Sequence, residues 1–254
     1  MRFIDTHLHL DPNSQDSLGE QIKKIHGDLS ALGGEHGIVI HLDWQKFGKK
    51  EIANEVKKFE NLSAYVNITP GSRGTTRELY YSVHSLGYQG LKLHPRFNNI
   101  NLESKDTALL CQEAGNLGIP VLICAFIDGK NLKHGILPQH FAALAEKCYG
   151  TNFIWAHMGG YKVLDFLFLG KPLPNVFMDF SFTLQYFQGS SVIQDVVYAM
   201  RNMKFERIFY GSDYPDRPMG EALKIAIDTL RSNAISDNEL DKLFFANASK
   251  HLSI

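Results

Sequence analysis

Eight short apolar runs, spread along the whole chain, restrict the fold of this sequence more than any other feature. Each run has the length of a buried strand, and together they cover residues 2–6, 37–42, 63–68, 89–94, 119–125, 152–157, 175–181 and 206–210. Strands without a polar face need cover on both sides, which a parallel sheet packed between helices provides. The runs therefore predict an α/β protein with a parallel sheet.

Amphipathic segments with helical spacing lie between these runs. They cover residues 16–32, 49–60, 76–86, 104–117, 138–148, 161–168, 191–203, 218–232 and 236–252. Regular alternation of strand and helix over a chain of 254 residues is typical of a (β/α)8 TIM barrel. An open doubly wound sheet is the alternative, but the first run is not followed by Gly-x-Gly-x-x-Gly and no Gly-Lys-Ser/Thr loop occurs. We predict a single TIM-barrel domain over residues 1–254.

Composition and charge limit the kinds of molecule that this chain is expected to bind. The formal net charge of -1 gives no electrostatic footprint for nucleic acid or for an anionic membrane. No stretch approaches the roughly 20 apolar residues of a membrane span, and the amino terminus does not resemble a secretory signal. The three cysteines are widely spaced and include no Cys-x-x-Cys pair, so structural disulfides are not expected. We expect a cytoplasmic protein that binds a small molecule. The sequence leaves open whether it forms a homodimer.

Two histidines end the first apolar run, in Asp5-Thr6-His7-Leu8-His9. Side chains two apart on a strand point the same way, so His7 and His9 can hold one divalent metal ion. A packed or solvated pair is the alternative. The carboxyl end of a barrel strand favours the metal site, because that face of the barrel carries the active site.

Two further runs end in residues suited to catalysis. Asp213 follows the last run, where it could bind a metal and accept a proton from metal-bound water, or could merely stabilise a turn. His157 follows the sixth run, ahead of Gly159 and Gly160, which permit close approach of backbone or substrate. A hydrogen-bonded core histidine is the alternative there. Three such segments, all at predicted strand ends, favour one shared site.

Six motifs carry a family resemblance that spans nearly the whole chain. They are Asp-Thr-His-Leu-His at 5–9, Gly-Leu-Lys-Leu-His-Pro at 90–95, Ile-Pro-Val-Leu-Ile at 119–123, Ala-His-Met-Gly-Gly at 156–160, Gly-Ser-Asp-Tyr-Pro at 211–215 and Ala-Asn-Ala at 246–248. With them the sequence resembles the amidohydrolase superfamily. Within it, the chain is similar to the amidohydrolase-related branch that includes 2-pyrone-4,6-dicarboxylate lactonase and aminocarboxymuconate semialdehyde decarboxylase. The resemblance implies a barrel enzyme with one divalent metal at its mouth, zinc as first choice and manganese as second.

The resemblance also implies roles for single residues. It makes His7 and His9 metal ligands, Asp213 a ligand and proton acceptor, and His157 the group that polarises substrate or water. Members of the family commonly have a histidine at the end of the fifth strand, where this chain has Cys124. A thiolate is a good zinc ligand, so Cys124 is expected to join the metal site, with an idle buried cysteine as the alternative.

Cationic side chains near the predicted mouth suggest an acidic substrate. The residues expected to orient it are Lys92, His94, Arg96, Arg73 and Tyr214. Surface loop charges are the alternative for the two arginines. His134 and His140, after the fifth run, could complete a site that Cys124 leaves short of a ligand.

Together these residues predict metal-assisted hydrolysis of a lactone, ester or amide bond in a small carboxylated compound. In that mechanism Asp213 takes a proton from the attacking water, and His157 stabilises the developing oxyanion. Non-oxidative decarboxylation of an aromatic or unsaturated acid at the same site is a second hypothesis. A barrel that binds a ligand without catalysis is a third, prompted by Cys124. A related nuclease is disfavoured because residues 90–95 offer no acidic ligand.

Overall fold

The computed structural model describes residues 1–71, 74–252 and 254, and eight strands among them form one parallel sheet. The strands are β1 (Phe3–Leu8), β2 (Gly34–Ile40), β3 (Leu62–Asn67), β4 (Gly90–Leu93), β5 (Val121–Cys124), β6 (Phe153–Ala156), β7 (Val176–Asp179) and β8 (Ile208–Phe209). Each strand pairs with the next one along the chain. The Thr6 amide donates to the Tyr210 carbonyl at 3.0 Å and thereby ties β1 to the end of β8. The prediction of a (β/α)8 TIM barrel is confirmed.

Helices connect the strands and cover the outside of the barrel. They are α1 (Leu18–Ala31), α2 (Lys49–Val56), α3 (Thr75–His84), α4 (Pro95–Asn98), α5 (Lys105–Asn116), α6 (Gly129–Lys133), α7 (Pro138–Lys147), α8 (Val163–Gly170), α9 (Thr183–Tyr186), α10 (Val192–Asn202), α11 (Met219–Ser232), α12 (Asp237–Asp241) and α13 (Asn247–His251). The last two are joined by a π-helical turn, so the segment predicted as one helix over 236–252 is broken into three pieces. Among the described helices, none has the length and apolar character needed to cross a membrane.

Three short helices, α4, α6 and α9, were not predicted. Each lies in a loop that follows a strand, and each has at most five residues. A single turn of helix is too short to show the apolar periodicity from which helices are predicted. All three nevertheless lie on the face of the barrel where the strands end.

Local capping sets where the first helix begins. The Ser17 hydroxyl accepts from the Glu20 amide, and the Glu20 carboxylate accepts in return from the Ser17 amide at 2.8 Å. This reciprocal pair satisfies two of the free amides at the helix start. The loop that leads from β1 past His9 ends at this cap.

Apolar side chains pack in two layers, one on each face of the strands. One cluster joins Ile40, Leu122 and Phe177, from strands that are not neighbours in the sheet, so these side chains meet inside the barrel. The other cluster, which contains Val39 and Ile123, lies between strands and helices. Adjacent residues of one strand divide between the clusters because successive side chains alternate. Burial on both faces explains why the runs are almost continuously apolar.

The carboxyl-terminal segment packs where the strands begin. Ala248 and Leu252 join the inner cluster beside Ile4 and Phe209. The Asn247 side chain donates to the carbonyl of Ile208 at 2.9 Å. The opposite end of the barrel, where the strands finish, carries the cavity described next.

Candidate active site

Most of the predicted site residues surround one cavity of about 510 Å³ at the carboxyl ends of the strands. Those that line it are His7, His9, Lys92, His94, Arg96, His157 and Asp213. They come from the ends of β1, β4, β6 and β8, so the barrel brings together residues that are up to about two hundred positions apart. A cavity of this size suits a small molecule.

Asp213 lies between His7 and His9, the two histidines at the end of β1. Its Oδ1 is 3.4 Å from Nε2 of His7 and 3.5 Å from Nε2 of His9. Ligand atoms held at about 2.1 Å around a tetrahedral ion lie about 3.4 Å from one another. Ligand atoms of His7, His157 and Asp213 also lie within 4.8 Å of one another. The spacing and the mixture of imidazole nitrogen and carboxylate oxygen therefore fit a divalent metal ion, with His157 close enough to be a further ligand.

Three side chains orient the ring of His7. Its Nδ1 is 3.0 Å from Oδ2 of Asp179 and 3.1 Å from Oγ of Ser181, and its Nε2 is 3.3 Å from Nζ of Lys92. A carboxylate only accepts, so the proton of a neutral ring belongs on Nδ1 and the lone pair on Nε2. Burial lowers the pKa of His7 to about 4, and the charge of Lys92 adds to this effect. A neutral imidazole that presents Nε2 is the form in which histidine binds metals.

His157 and Asp213 have positive φ angles, 62° and 57°, which residues other than glycine rarely adopt. Such residues cost about 1–3 kcal/mol each and persist only where the surrounding structure imposes them. Here the His157 amide donates to Oδ1 of Asp179 at 3.0 Å, and its carbonyl accepts from the Thr183 hydroxyl at 2.6 Å. These bonds hold the turn that brings the imidazole to the cavity.

Cys124 is buried at the end of β5, against His94 and His157. Burial raises the pKa of its thiol, but the two histidines outweigh burial and lower that pKa well below its ordinary value. Burial likewise lowers the pKa of His157, whereas its hydrogen bond to Cys124 and the charges of Cys124 and Asp213 raise it to about 9. Among the residues described, the close ligand group of His7, His157 and Asp213 contains neither His9 nor Cys124. The roles of His9 and Cys124 as metal ligands stay predictions.

One wall of the cavity combines aromatic rings with polar atoms. The ring centroids of Trp44 and Phe97 lie 5.4 and 4.5 Å from the ring centroid of His94. Arg96 donates through Nη1 to Asp128 at 2.8 Å. Within the described part of the chain, Nε of Arg96 and Nδ1 of His94 are buried without a hydrogen-bond partner. Buried polar atoms are usually paired, so this wall favours a polar ligand.

The remaining predicted residues lie elsewhere. Nζ of Lys24 lies 5.1 Å from the ring centroid of Tyr214 and donates to its hydroxyl at 3.4 Å. The side chain of Tyr214 therefore lies against α1. Arg73 is outside the described residues. His134 and His140 line a separate cavity of about 360 Å³. The structure therefore does not bring these two histidines to Cys124.

Sequence reasoning missed two residues of the site, Asp179 and Ser181. Both are fully buried at the end of β7. Burial raises the pKa of Asp179, but the charge and hydrogen bond of His7 and the charge of His157 lower it well below its usual range. A signal was present, because Asp179 is a charged residue inside the apolar run 175–181. A carboxylate at the end of a barrel strand is a candidate site residue.

Comparison with known families finds one match along nearly the whole chain. A family model described as "Amidohydrolase" matches residues 4–254. Among curated proteins, none matches this sequence. The family match includes residues of all eight strands and every described residue that lines the 510 Å³ cavity.

Solved structures share the barrel at low sequence identity. An uncharacterized TIM-barrel protein from Bordetella bronchiseptica is 15% identical, with 98% of each chain covered and a TM-score of 0.81. A probable 2-pyrone-4,6-dicarboxylic acid hydrolase from Acinetobacter baumannii, with citric acid bound, is 15% identical, with 100% of each chain covered and a TM-score of 0.73. The 5-carboxyvanillate decarboxylase from Novosphingobium aromaticivorans, complexed with manganese and 4-hydroxy-3-methoxy-5-nitrobenzoic acid, is 13% identical, with 99% of this chain and 96% of that chain covered and a TM-score of 0.70. These likenesses show a common fold.

Proposed function

Because this chain belongs to the amidohydrolase family, we propose that it is a metal-dependent hydrolase of a small carboxylated compound with a lactone, ester or amide bond. One observation carries the proposal. Oδ1 of Asp213 lies within 3.5 Å of Nε2 of both His7 and His9, at the open end of the barrel. A carboxylate in that position can both bind a metal ion and accept a proton from water.

The residues that would hold the ion are His7, His9 and Asp213, with His157 and Cys124 beside them. A bound divalent ion lowers the pKa of water towards neutrality and polarises a carbonyl oxygen. Imidazole and thiolate ligands suit zinc, which we propose first, and manganese is the second candidate because the decarboxylase from Novosphingobium aromaticivorans was crystallised with it.

Side chains of this protein would carry out the proton transfer and stabilise the developing charge. Asp213 accepts the proton of the attacking water. The Nδ1 of His157 lies 3.0 Å from the carbonyl oxygen of Ser181, so its proton is donated there and Nε2 is left to face substrate or Cys124. Lys92 is a buried residue that lines the same cavity, with Nζ 3.3 Å from Nε2 of His7, and would place a positive charge close to the carbonyl that is attacked.

Substrate recognition is assigned to the polar wall. The side chains of Arg96 and His94 line the cavity and can donate to a carboxylate, and the bond from Arg96 to Asp128 keeps the guanidinium in place. The aromatic rings of Trp44 and Phe97 can cover an apolar or planar part of the same molecule. We therefore propose a small organic acid as substrate, with no nucleic acid or membrane partner.

Decarboxylation is the second candidate, and the pairing of Arg96 with an aromatic wall favours it for a planar acid. In that reaction the bond from the substrate's carbon to its carboxylate breaks, carbon dioxide leaves, and the carbon takes a proton from His157 or Asp213. Hydrolysis instead adds the elements of water to the bond that breaks. The two reactions therefore differ in where solvent atoms appear in the product.

Isotopic labelling tests the proposal. Protein with its metal content measured by elemental analysis is incubated with carboxylated lactones, esters and amides, and with aromatic acids. Hydrolysis transfers one ¹⁸O from labelled water to the product, whereas decarboxylation releases carbon dioxide and transfers deuterium from D₂O to carbon. Asp213→Asn should abolish turnover, and Asp216→Asn, which changes another carboxylate at the cavity, should retain most of it. Turnover that is unaffected by Asp213→Asn overturns the assignment, and binding of these compounds without turnover favours the non-catalytic barrel.

A further inference from the structure

We propose that Asp179 is a positioning residue that selects the tautomer of His7 and at the same time holds the turn at His157. Through this contact Asp179 makes His7 able to bind a metal ion. The inference rests on the proposed metal-dependent function, but its first measurement needs neither metal nor substrate.

The two carboxylate oxygens of Asp179 have different partners. Oδ2 is 3.0 Å from Nδ1 of His7. Oδ1 accepts from the amides of His157 and Ser181, each at 3.0 Å, and from the Ser181 hydroxyl. Asp179 is fully buried, so these bonds are made away from competing solvent. One side chain at the end of β7 therefore links residues at the ends of β1 and β6.

The contact at Oδ2 decides which nitrogen of His7 carries the proton. With the proton on Nδ1, His7 donates to Asp179 and its Nε2 lone pair faces the side of Asp213, 3.4 Å away, and Nζ of Lys92, 3.3 Å away. With the proton on Nε2, the Nδ1 lone pair would face lone pairs of Asp179 and of the Ser181 hydroxyl, whose own proton is donated to Oδ1. A proton would then also point to the place where the ion binds. Asp179 therefore favours the tautomer whose Nε2 can bind metal.

The contacts at Oδ1 fix the neighbouring histidine. The amide of His157 donates to Oδ1, and the same residue has the uncommon backbone angle φ 62°. The rings of His7 and His157 then lie with centroids 5.1 Å apart. The Ser181 hydroxyl, which donates to Oδ1, lies 3.1 Å from Nδ1 of His7 and 3.0 Å from Nδ1 of His157. Loss of the carboxylate would therefore affect both rings and the hydroxyl between them.

Asp179→Asn tests the proposal because its carboxamide has the same shape. Three donors point to the position of Oδ1, so the amide oxygen should occupy that position. The amide nitrogen then faces Nδ1 of His7 and can only donate to it. Acceptance of this donor at Nδ1 moves the proton of His7 to Nε2, which leaves no lone pair for a metal. A proton kept on Nδ1 would face the amide N–H and would have the Ser181 hydroxyl as its acceptor. We expect zinc affinity to fall by roughly 10–100-fold, the usual range for loss of such a partner.

The first measurement is the ¹⁵N chemical shift of the His7 ring in metal-free protein, which distinguishes the two tautomers. We expect Nδ1–H in the native protein and Nε2–H in Asp179→Asn. The matched control is Asp165→Asn, the same change at an exposed carboxylate on α8 that pairs with Lys162, and it should keep Nδ1–H. Zinc affinity, measured by competition with a chelator, should fall in Asp179→Asn and be retained in Asp165→Asn.

Each outcome either supports or overturns the proposed role of Asp179. A native His7 with its proton on Nε2 overturns the proposal, even where Asp179→Asn does not fold. Native zinc affinity and an unchanged tautomer in a folded Asp179→Asn protein also overturn it. A protein that shows the expected tautomers but hydrolyses none of the compounds tested contradicts the proposed function and leaves the role of Asp179 intact.

Discussion

Gly211 lies between two strand ends of the candidate site, and an alanine there tests how strongly the site depends on closure of the barrel. A Cβ atom at this position would be 2.6 Å from Cβ of His7 and 2.9 Å from Cβ of Ser181. Carbon atoms in contact stay about 3.5–4.0 Å apart. The shortfall at His7 is therefore about 1 Å. Because a Cβ atom is fixed to the backbone and cannot rotate away, the backbone near His7 and Ser181 must move apart.

This displacement sets the expected size of the effect. Forcing a methyl group into a well-packed core costs about 1–3 kcal/mol of unfolding free energy. For a chain of this length, that loss lowers the melting temperature by about 2–12 °C. A shift of about 1 Å at a reacting group lowers the catalytic rate by about 100-fold, which corresponds to about 2.7 kcal/mol of transition-state stabilisation.

Calorimetry, zinc titration and the hydrolase assay measure these three effects on Gly211→Ala. Gly220→Ala is the matched control, because its Cβ would meet only the flexible end of the Leu32 side chain, at 3.3 Å. We expect the control to keep its metal affinity and turnover. A Gly211→Ala protein with native melting temperature and native metal affinity would falsify the view that β1 and β7 are packed too tightly to separate at this point.

Three further predictions concern stability. Gly27→Ala, at an exposed position of α1 with nothing within 4 Å of the added methyl group, should raise the unfolding free energy by about 1 kcal/mol in urea titration. Burial lowers the pKa of His36 from 6.5 to about 4, so the unfolded chain binds more protons between these values, and stability should fall as the pH drops from about 6.5 to 4. Zinc at 100 times its dissociation constant should stabilise the native protein by about 2.7 kcal/mol in thermal melts.

Matched variants make these predictions decisive. The same glycine replacement at Gly74, where φ is 95°, should destabilise the protein, and a gain there would contradict the argument from backbone conformation. His36→Gln should flatten the change of urea midpoint between pH 7 and pH 5, and an unchanged slope would show that other groups cause it. His7→Ala should remove the stabilisation by zinc, and its persistence would place the ion elsewhere.

The sequence by itself determined the barrel and the positions where its chemistry is found. Burial of each strand on both faces imposes near-continuous apolar runs, which can be read directly from the chain. The end of each run then marks the face where side chains from distant segments meet. His7, His9, His157 and Asp213 could be identified in this way, and the structure brings all four to one cavity.

Only the tertiary structure decided which way these side chains point and which partners they meet. The pattern of apolar residues does not encode the positive φ angles at His157 and Asp213, which turn both residues towards the cavity. Nor does it show that Cys124 packs against His157, or that Asp179 meets His7 across 172 positions of the chain. Such contacts depend on closure of the barrel, because closure places the ends of β1 and β7 on either side of β8. A periodic pattern reports burial, whereas the direction of a side chain at a strand end depends on dihedral angles and hydrogen bonds that form only in the folded protein.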